Sequence, residues 1–309
     1  AVLRKMSDVQ VSTWHVAPDT ALPKWLRSKL TKSWSRSGVS AIERAHAVPP
    51  PLDLTVKSDP DGWASKLGAR VLPTGSLRLT SGGQVSALPG FADGAWWVQD
   101  AAAAMPSRLL GDVAGKVVLD ICAAPGGKTM QLAAGGAAVT ALDISDGRMA
   151  RVIENLGRTK LNAEIVVADA LAFESDPFDA ILLDAPCSAT GTIRRHPDLP
   201  YVKSETTLTD LVTLQRKLMM RALFLLKPGG KMVFCTCSLL REEGEDQLKW
   251  LLTQTDDVEV LAPEAPDLDP AWISPEGGVR LRPDYWPDLG GMDGFYMVVL
   301  RKTGVASPA

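Results

Sequence analysis

Hydrophobic and polar positions follow one grammar up to about residue 92 and another beyond it. In LPKWLRSKLTKSW, Leu22, Leu26 and Leu30 recur every four residues with Trp25 beside them, which predicts an amphipathic helix whose other flank is basic. A proline-rich break, AVPPPLDL, follows; then LDLTVK predicts a strand, DPDGWASKLGA a capped helix and GSLRLT another strand. Beyond them, apolar β-like runs alternate with helical stretches: KVVLDI (116–121), AVTALDI (138–144), EIVVAD (164–169), FDAILLDA (178–185), GGKMVFCTC and, near the end, GFYMVVLRK (294–302). Such alternation predicts an α/β, Rossmann-like doubly wound sheet, mainly parallel, with the last run as an antiparallel edge strand and ligands at the carboxyl ends of the strands. The expected organisation is a basic helical lead-in over 1–45, a small α+β subdomain over 46–92 with an RNA-binding character, a large α/β domain over 93–303 and a frayed tail over 304–309.

Composition narrows the class without naming it. At 309 residues and 46% hydrophobic content the chain can bury a full core. No apolar run approaches the roughly 18 residues of a membrane span, and no continuous apolar leader opens the chain, so a cytoplasmic location is expected. Four cysteines (122, 187, 235 and 237) are too few for a disulfide framework, and with no C-x-x-C pair and three scattered histidines no metal site is expected. The net charge of −3 conceals an asymmetry, since residues 1–50 carry eight basic and three acidic side chains, a local +5. Lys24, Arg27, Lys29 and Lys32 on the predicted helix are therefore candidate RNA contacts, with Trp14, Trp25 and Trp34 interleaved; a solvated face on a helix packed against its neighbour weighs evenly against that reading.

Candidate chemistry gathers at the strand ends. DICAAPGGKT is not a phosphate-binding P-loop, because the first glycine of that motif is replaced by Cys122, and it lacks the G-x-G-x-x-G dinucleotide fingerprint. Its turn with Pro125, Gly126 and Gly127 nonetheless lets backbone approach a ligand and opens a helix near Lys128. The next run ends in Asp143, 23 residues after Asp120, near the offset at which an acidic side chain takes ribose hydroxyls. A third ends in Asp169, suited to an adenine amine; each of these acids could equally be a helix cap. FDAILLDAPC delivers Asp184 and Cys187 past one strand, and KMVFCTCS delivers Cys237 at the end of the next, so two thiols can converge on one pocket. Period-two alternation puts Cys235 on the same face as Cys237 but deeper, as a small core residue. Arg194, Arg195 and His196, in TIRRHPDL, are placed to meet phosphates at that pocket's mouth, against the simpler reading of a salt-bridged surface loop.

Taken together, DICAAPGGKT, DAPCSATG and CTCS resemble the RNA cytosine-carbon-5 methyltransferases of the NOL/NOP/Sun group, and TIRRHPDL and WWVQDAAAAM look most like its bacterial RsmB (Fmu) branch, which methylates 16S ribosomal RNA. The resemblance spans about residues 20–302. It implies a class I methyltransferase fold using S-adenosylmethionine, with Cys122, Ala123, Ala124, Pro125, Gly126, Gly127 and Lys128 contacting the cofactor and Asp143, Asp169 and Asp184 completing its surroundings. It further implies RNA, 16S ribosomal RNA, as partner to a monomeric enzyme. Relatives of that branch usually carry an N-terminal NusB-like helical domain for which this chain has no room, and a first residue of Ala1 favours its removal.

Carbon 5 of cytosine is a poor nucleophile, so methylating it requires a thiolate to add first at carbon 6. Chemistry alone leaves Cys187 and Cys237 open as attacker, and a Pro-Cys nucleophile of the DNA-methyltransferase kind would be Cys187. The resemblance selects Cys237, with Cys187 assisting product release and Asp184 holding the base edge. A non-catalytic RNA-binding assembly factor on the same fold is the alternative.

Overall fold

The computed structural model describes residues 22–79, 83–265 and 268–304; residues 1–21 of the lead-in, Trp14 among them, and 305–309 of the expected tail lie outside these. Helix α1 (Lys24–His46) bends at Ser35, whose φ of 63° departs from helical geometry. Its buried Leu26, Leu30, Val39 and Ile42 pack with Ile193, Leu208, Leu239 and Leu240 of the large domain. The leucine spacing therefore marks the face that docks.

Strand β1 (Leu52–Val56), helix α2 (Pro60–Leu67) and strands β2 (Ala69–Val71), β3 (Leu77–Leu79) and β4 (Trp96–Val98) build an antiparallel sheet in the order β2-β3-β1-β4. Asp59 caps α2 by accepting from the Gly62 amide, and Pro60 occupies its first turn, where no backbone donor is missed. The small sheet reaches beyond the expected boundary at 92, because Trp96 of β4 fills its core with Leu54 and Leu77.

The large domain continues with α3 (Ala101–Leu109), β5 (Val117–Ile121), α4 (Gly127–Ala134), β6 (Ala138–Asp143), α5 (Asp146–Thr159), β7 (Glu164–Val167) and β8 (Phe178–Asp184). After these come α6 (Glu205–Leu225), β9 (Leu226–Thr236), α7 (Glu245–Gln254), β10 (Val258–Leu261), β11 (Val279–Leu281) and β12 (Phe295–Lys302). The sheet order is β10-β12-β9-β8-β5-β6-β7, with β11 also paired to β12. Strands β9, β8, β5, β6 and β7 are mutually parallel, and β12 is antiparallel to β9. Val118, Ala180, Leu182 and Val233 pack with α3, whereas Leu119, Ile121, Ile181, Leu183 and Phe234 pack with α6. Both faces being covered, these strands read as continuous apolar runs.

The antiparallel strand expected at the sheet's edge is an inner one. Residues 295–300 of β12 are buried throughout, covered on the far side by the short strands β10 and β11. Three- and four-residue strands carry too little periodicity to stand out in a sequence.

Candidate active site

The glycine loop after β5 and the thiols after β8 and β9 lie at the carboxyl ends of neighbouring strands; Cys187 and Cys237 do not themselves line the cleft beside that loop. After β5 the chain turns through Cys122, held in the left-handed region at φ 63°, and Gly126, at φ 101°, before α4 begins at Gly127. A Cβ added at Gly127 would stand 3.3 Å from the Gln99 side chain, so the loop seats closely against the segment entering α3. Between them lies a cleft of about 360 Å³ lined by Cys122, Ala123, Ala124, Pro125, Gly127, Lys128 and Asp184 of the expected residues. Asp120, the first of the strand-end acids, lines it too, as do Trp97, Gln99, Asn155 and Arg158, which were not among the expected site residues.

The strand-end acids differ sharply in setting. Asp120 is wholly buried; its Oδ2 accepts from Thr129 Oγ1 at 2.6 Å, while Oδ1 has no hydrogen-bond partner. Burial pushes its pKa up to about 7, against the opposing effects of Thr129 and Lys128. Asp143 turns its carboxylate onto the loop itself: Oδ2 accepts from the Ala124 amide at 3.2 Å and Oδ1 from the Ser145 amide at 3.0 Å. Asp169 is exposed and caps the Leu171 amide at 2.9 Å; neither it, Asp143 nor Gly126 lines the cleft. Asp184 Oδ2 pairs with Lys128 Nζ at 2.7 Å. Burial is the largest single influence and works against the Lys128 charge, but the attraction and hydrogen bond of Asp184 together with the Cys235 and Asp120 side chains outweigh it and hold the ammonium above its ordinary value.

Asp184 lies opposite Cys235 in the β8–β9 register, and that pairing carries the two thiols together. Cys187 Sγ and Cys237 Sγ are 3.4 Å apart, both half-buried. Cys235 is fully buried, with its Sγ 3.5 Å from Asp184 Oδ1. Burial, followed by nearby carboxylates, raises the Cys122 and Cys235 thiols. The Cys187 thiol is raised well above the ordinary range, first by its hydrogen bond with Cys237 and next by burial. Either sulfur can donate to the other across that contact.

Among the expected RNA contacts, the arginines after Cys187 turn inward. Arg194 is buried, donating to Gly290 O at 2.9 Å with its Nε 3.7 Å from Asp293; Arg195 spans Asp100 at 2.6 Å and Asp293 at 2.8 Å. The carboxylates at 100 and 293 are themselves buried and require that positive charge, so these guanidinium groups are not free at a pocket mouth. His196 is exposed. On α1, Arg27 pairs with Glu43 and Lys29 with Glu242, each at 2.9 Å, while Lys24 and Lys32 face solvent. Trp25 and Trp34 donate to the carbonyls of Pro200 and Leu239. Among the described residues no cluster of metal-ligating side chains occurs, and no helix is long and apolar enough to cross a membrane.

A further buried group went unread in the sequence. Glu243 accepts from Ser188 and Ser238, the residues directly after Cys187 and Cys237. The repeated Cys-Ser dipeptide was the available signal, but the acid that joins the two lies more than 50 residues beyond the first.

Comparison with known proteins agrees with this geometry. Residues 108–301 match a family model described as 16S rRNA methyltransferase RsmB/F. The chain is 39% identical over 260 residues to ribosomal RNA small subunit methyltransferase B of Klebsiella pneumoniae subsp. pneumoniae, a match covering 79% of this chain and 60% of that protein. It is 39% identical over 256 residues to the protein of that name from Cronobacter sakazakii, covering 77% and 59% respectively. The chain thus spans about 60% of the length of these curated relatives. A solved methyltransferase homolog protein from Pyrococcus horikoshii superposes with a TM-score of 0.76 at 27% identity, covering 91% of this chain and 95% of that one. NSun6 from Pyrococcus horikoshii shares the fold, with a TM-score of 0.78 at 19% identity over 91% and 98% of the two chains. The family model and the extent of identity together establish that the chain belongs to the RsmB/F family of 16S rRNA methyltransferases.

Proposed function

We propose that this protein transfers a methyl group from S-adenosylmethionine to carbon 5 of a cytosine in 16S ribosomal RNA, through a covalent adduct between Cys237 and carbon 6. The observation that carries the reading is the pair of thiols 3.4 Å apart after β8 and β9, the former strand ending in Asp184, which itself borders the cleft under the glycine loop. No single nucleophilic step needs two adjacent cysteines, but addition followed by elimination gives each a task.

The cleft suits a cationic nucleoside. Its floor carries the Asp120 carboxyl with one unpartnered oxygen, its rim carries Asp184, and Gly127 lets backbone come close. Cys122 to Lys128 would hold the cofactor, whose sulfonium supplies an electrophilic methyl group. Asp143, with both oxygens engaged by amides, contributes by shaping the loop, and Asp169 from the neighbouring strand end.

On the RNA side, Cys237 sulfur adds to carbon 6, and the ring electrons displaced make carbon 5 nucleophilic. Asp184 holds the base edge while charge develops, with Lys128 fixing the orientation of that carboxylate. Once carbon 5 is methylated, Cys187, having passed its own proton to solvent, takes the carbon 5 proton; that C–H electron pair restores the 5,6 double bond, the carbon–sulfur bond breaks, and Cys237 leaves as the thiolate. Lys24, Lys32 and His196 are the exposed candidates for backbone contacts.

Incubation with 16S ribosomal RNA and S-adenosylmethionine labelled in the methyl group, followed by digestion to nucleosides, tests the reading. Label in 5-methylcytidine is expected; label in another nucleoside, or RNA binding without transfer, would overturn it.

A further inference from the structure

Glu243 sits at the centre of a buried hydrogen-bond network that touches the residue on each side of both cysteines. The side chain has no exposure to solvent. Its Oε1 accepts from the Ser188 amide at 2.8 Å and Gln215 Nε2 at 3.1 Å; its Oε2 accepts from Ser188 Oγ at 2.5 Å and Ser238 Oγ at 2.6 Å. Four donors fill the acceptor sites of one carboxylate. Gln215 Nε2 also holds Pro186 O at 2.8 Å, and Thr236 Oγ1 donates to the Glu243 carbonyl at 2.8 Å. Positions 186 and 188 around Cys187, and 236 and 238 around Cys237, are therefore all tied to this residue, directly or through Gln215.

We propose that Glu243 is a positioning residue for methyl transfer, locking the loops after β8 and β9 together so that the Cys187 and Cys237 sulfurs stay in contact. This rests on the two-cysteine reading above. Other bonds also join the two loops: the Gly191 amide donates to the Cys237 carbonyl at 2.9 Å, and Thr190 Oγ1 accepts from the Leu239 amide at 2.9 Å and lies 3.2 Å from Ser238 Oγ. Glu243 differs from them in gathering donors from both loops and from Gln215 onto one buried charge. A buried carboxylate is costly unless every acceptor is satisfied, and here the donors come from the two loops to be joined. Their separation would strand the charge, so the charge enforces their contact. Glu243 also adds its negative field to the hydrogen bond with Cys237 and the burial that raise the Cys187 thiol.

The test combines turnover with a geometric readout that does not depend on activity. A short bifunctional thiol reagent should bridge Cys187 and Cys237 rapidly in the wild-type protein, as shown by the mass of the linked peptide. Glu243→Gln should slow that bridging and lower kcat about tenfold or more, while KM for S-adenosylmethionine changes less than about twofold. A folded Glu243→Gln protein that bridges at the wild-type rate would overturn the proposal, whatever its kcat; so would slow bridging with unchanged kcat. If Glu243→Gln fails to fold, the Ser188→Ala, Ser238→Ala double variant removes two of the clamp's four donors, one from each loop, and is read the same way. Wild-type protein that bridges rapidly but transfers no methyl group would defeat the proposed function and leave the geometry of the clamp intact.

Discussion

Asp120, Asp143 and Asp169 end three successive parallel strands, and the fold gives each a different fate. Asp120 is sealed in with one oxygen unpartnered, Asp143 is consumed by loop amides, and Asp169 is exposed. Burial raises the Asp120 pKa from 3.8 to about 7, so the folded state keeps a proton that the unfolded chain releases. Below 3.8 both states are protonated and nothing is lost; between 3.8 and 7 stability falls as pH rises, and the loss is complete above 7. Asp120→Asn, which cannot ionise, should therefore gain melting temperature relative to wild type as pH rises from 4 to 8. A difference independent of pH would refute that. The sequence makes the three acids look equivalent because strand position is local information, whereas burial depends on what packs over each strand end. Cys235 and Cys237 were separable for the opposite reason: a period of two and the end of a strand are both local.

Helix α1 shows the same division at the scale of an element. Its buried face follows from leucines four apart, and Leu26 and Leu30 are fully enclosed. Which of its cations are free does not follow, since Glu43 is 16 residues from Arg27 and Glu242 is 213 from Lys29. Trp34 reaches the Leu239 carbonyl, two residues past Cys237, so the helix braces the loop after β9 while turning Lys24 and Lys32 outward. Reversing Lys24 and Lys32 to glutamate should weaken RNA binding and reduce the steepness of its salt dependence by about one per lost phosphate contact. Affinity and salt slope equal to wild type would leave α1 as a structural brace alone. The inward turn of Arg194 and Arg195 was likewise hidden, because Asp100 and Asp293 lie about a hundred residues to either side.

At the scale of the molecule, the alternation of apolar runs and helices suffices for the parallel sheet, and adjacency of β8 and β9 suffices to bring Cys187 and Cys237 together. The junction between the two sheets was not legible. Arg78 of β3 binds both oxygens of Asp53 at 2.6 and 2.7 Å and the carbonyls of Leu289 and Gly291 at 2.7 Å, uniting a residue of the small sheet with a loop more than 200 positions away. Gly191 and Gly294, about a hundred positions apart, approach so closely that a Cβ at Gly191 would fall 1.9 Å from the Gly294 oxygen, and the Gly191 amide donates to the Cys237 carbonyl. These contacts, together with the Glu243 network, hold two cysteines 50 positions apart at hydrogen-bonding distance. The division of labour between those cysteines is the centre of the mechanism, and denaturing gel electrophoresis of wild type, Cys187→Ala and Cys237→Ala after incubation with 16S ribosomal RNA and S-adenosylmethionine measures it directly. Cys187→Ala should accumulate a denaturation-resistant protein–RNA adduct and Cys237→Ala should form none; an adduct that persists in Cys237→Ala and vanishes in Cys187→Ala would contradict the assignment and exchange the two roles.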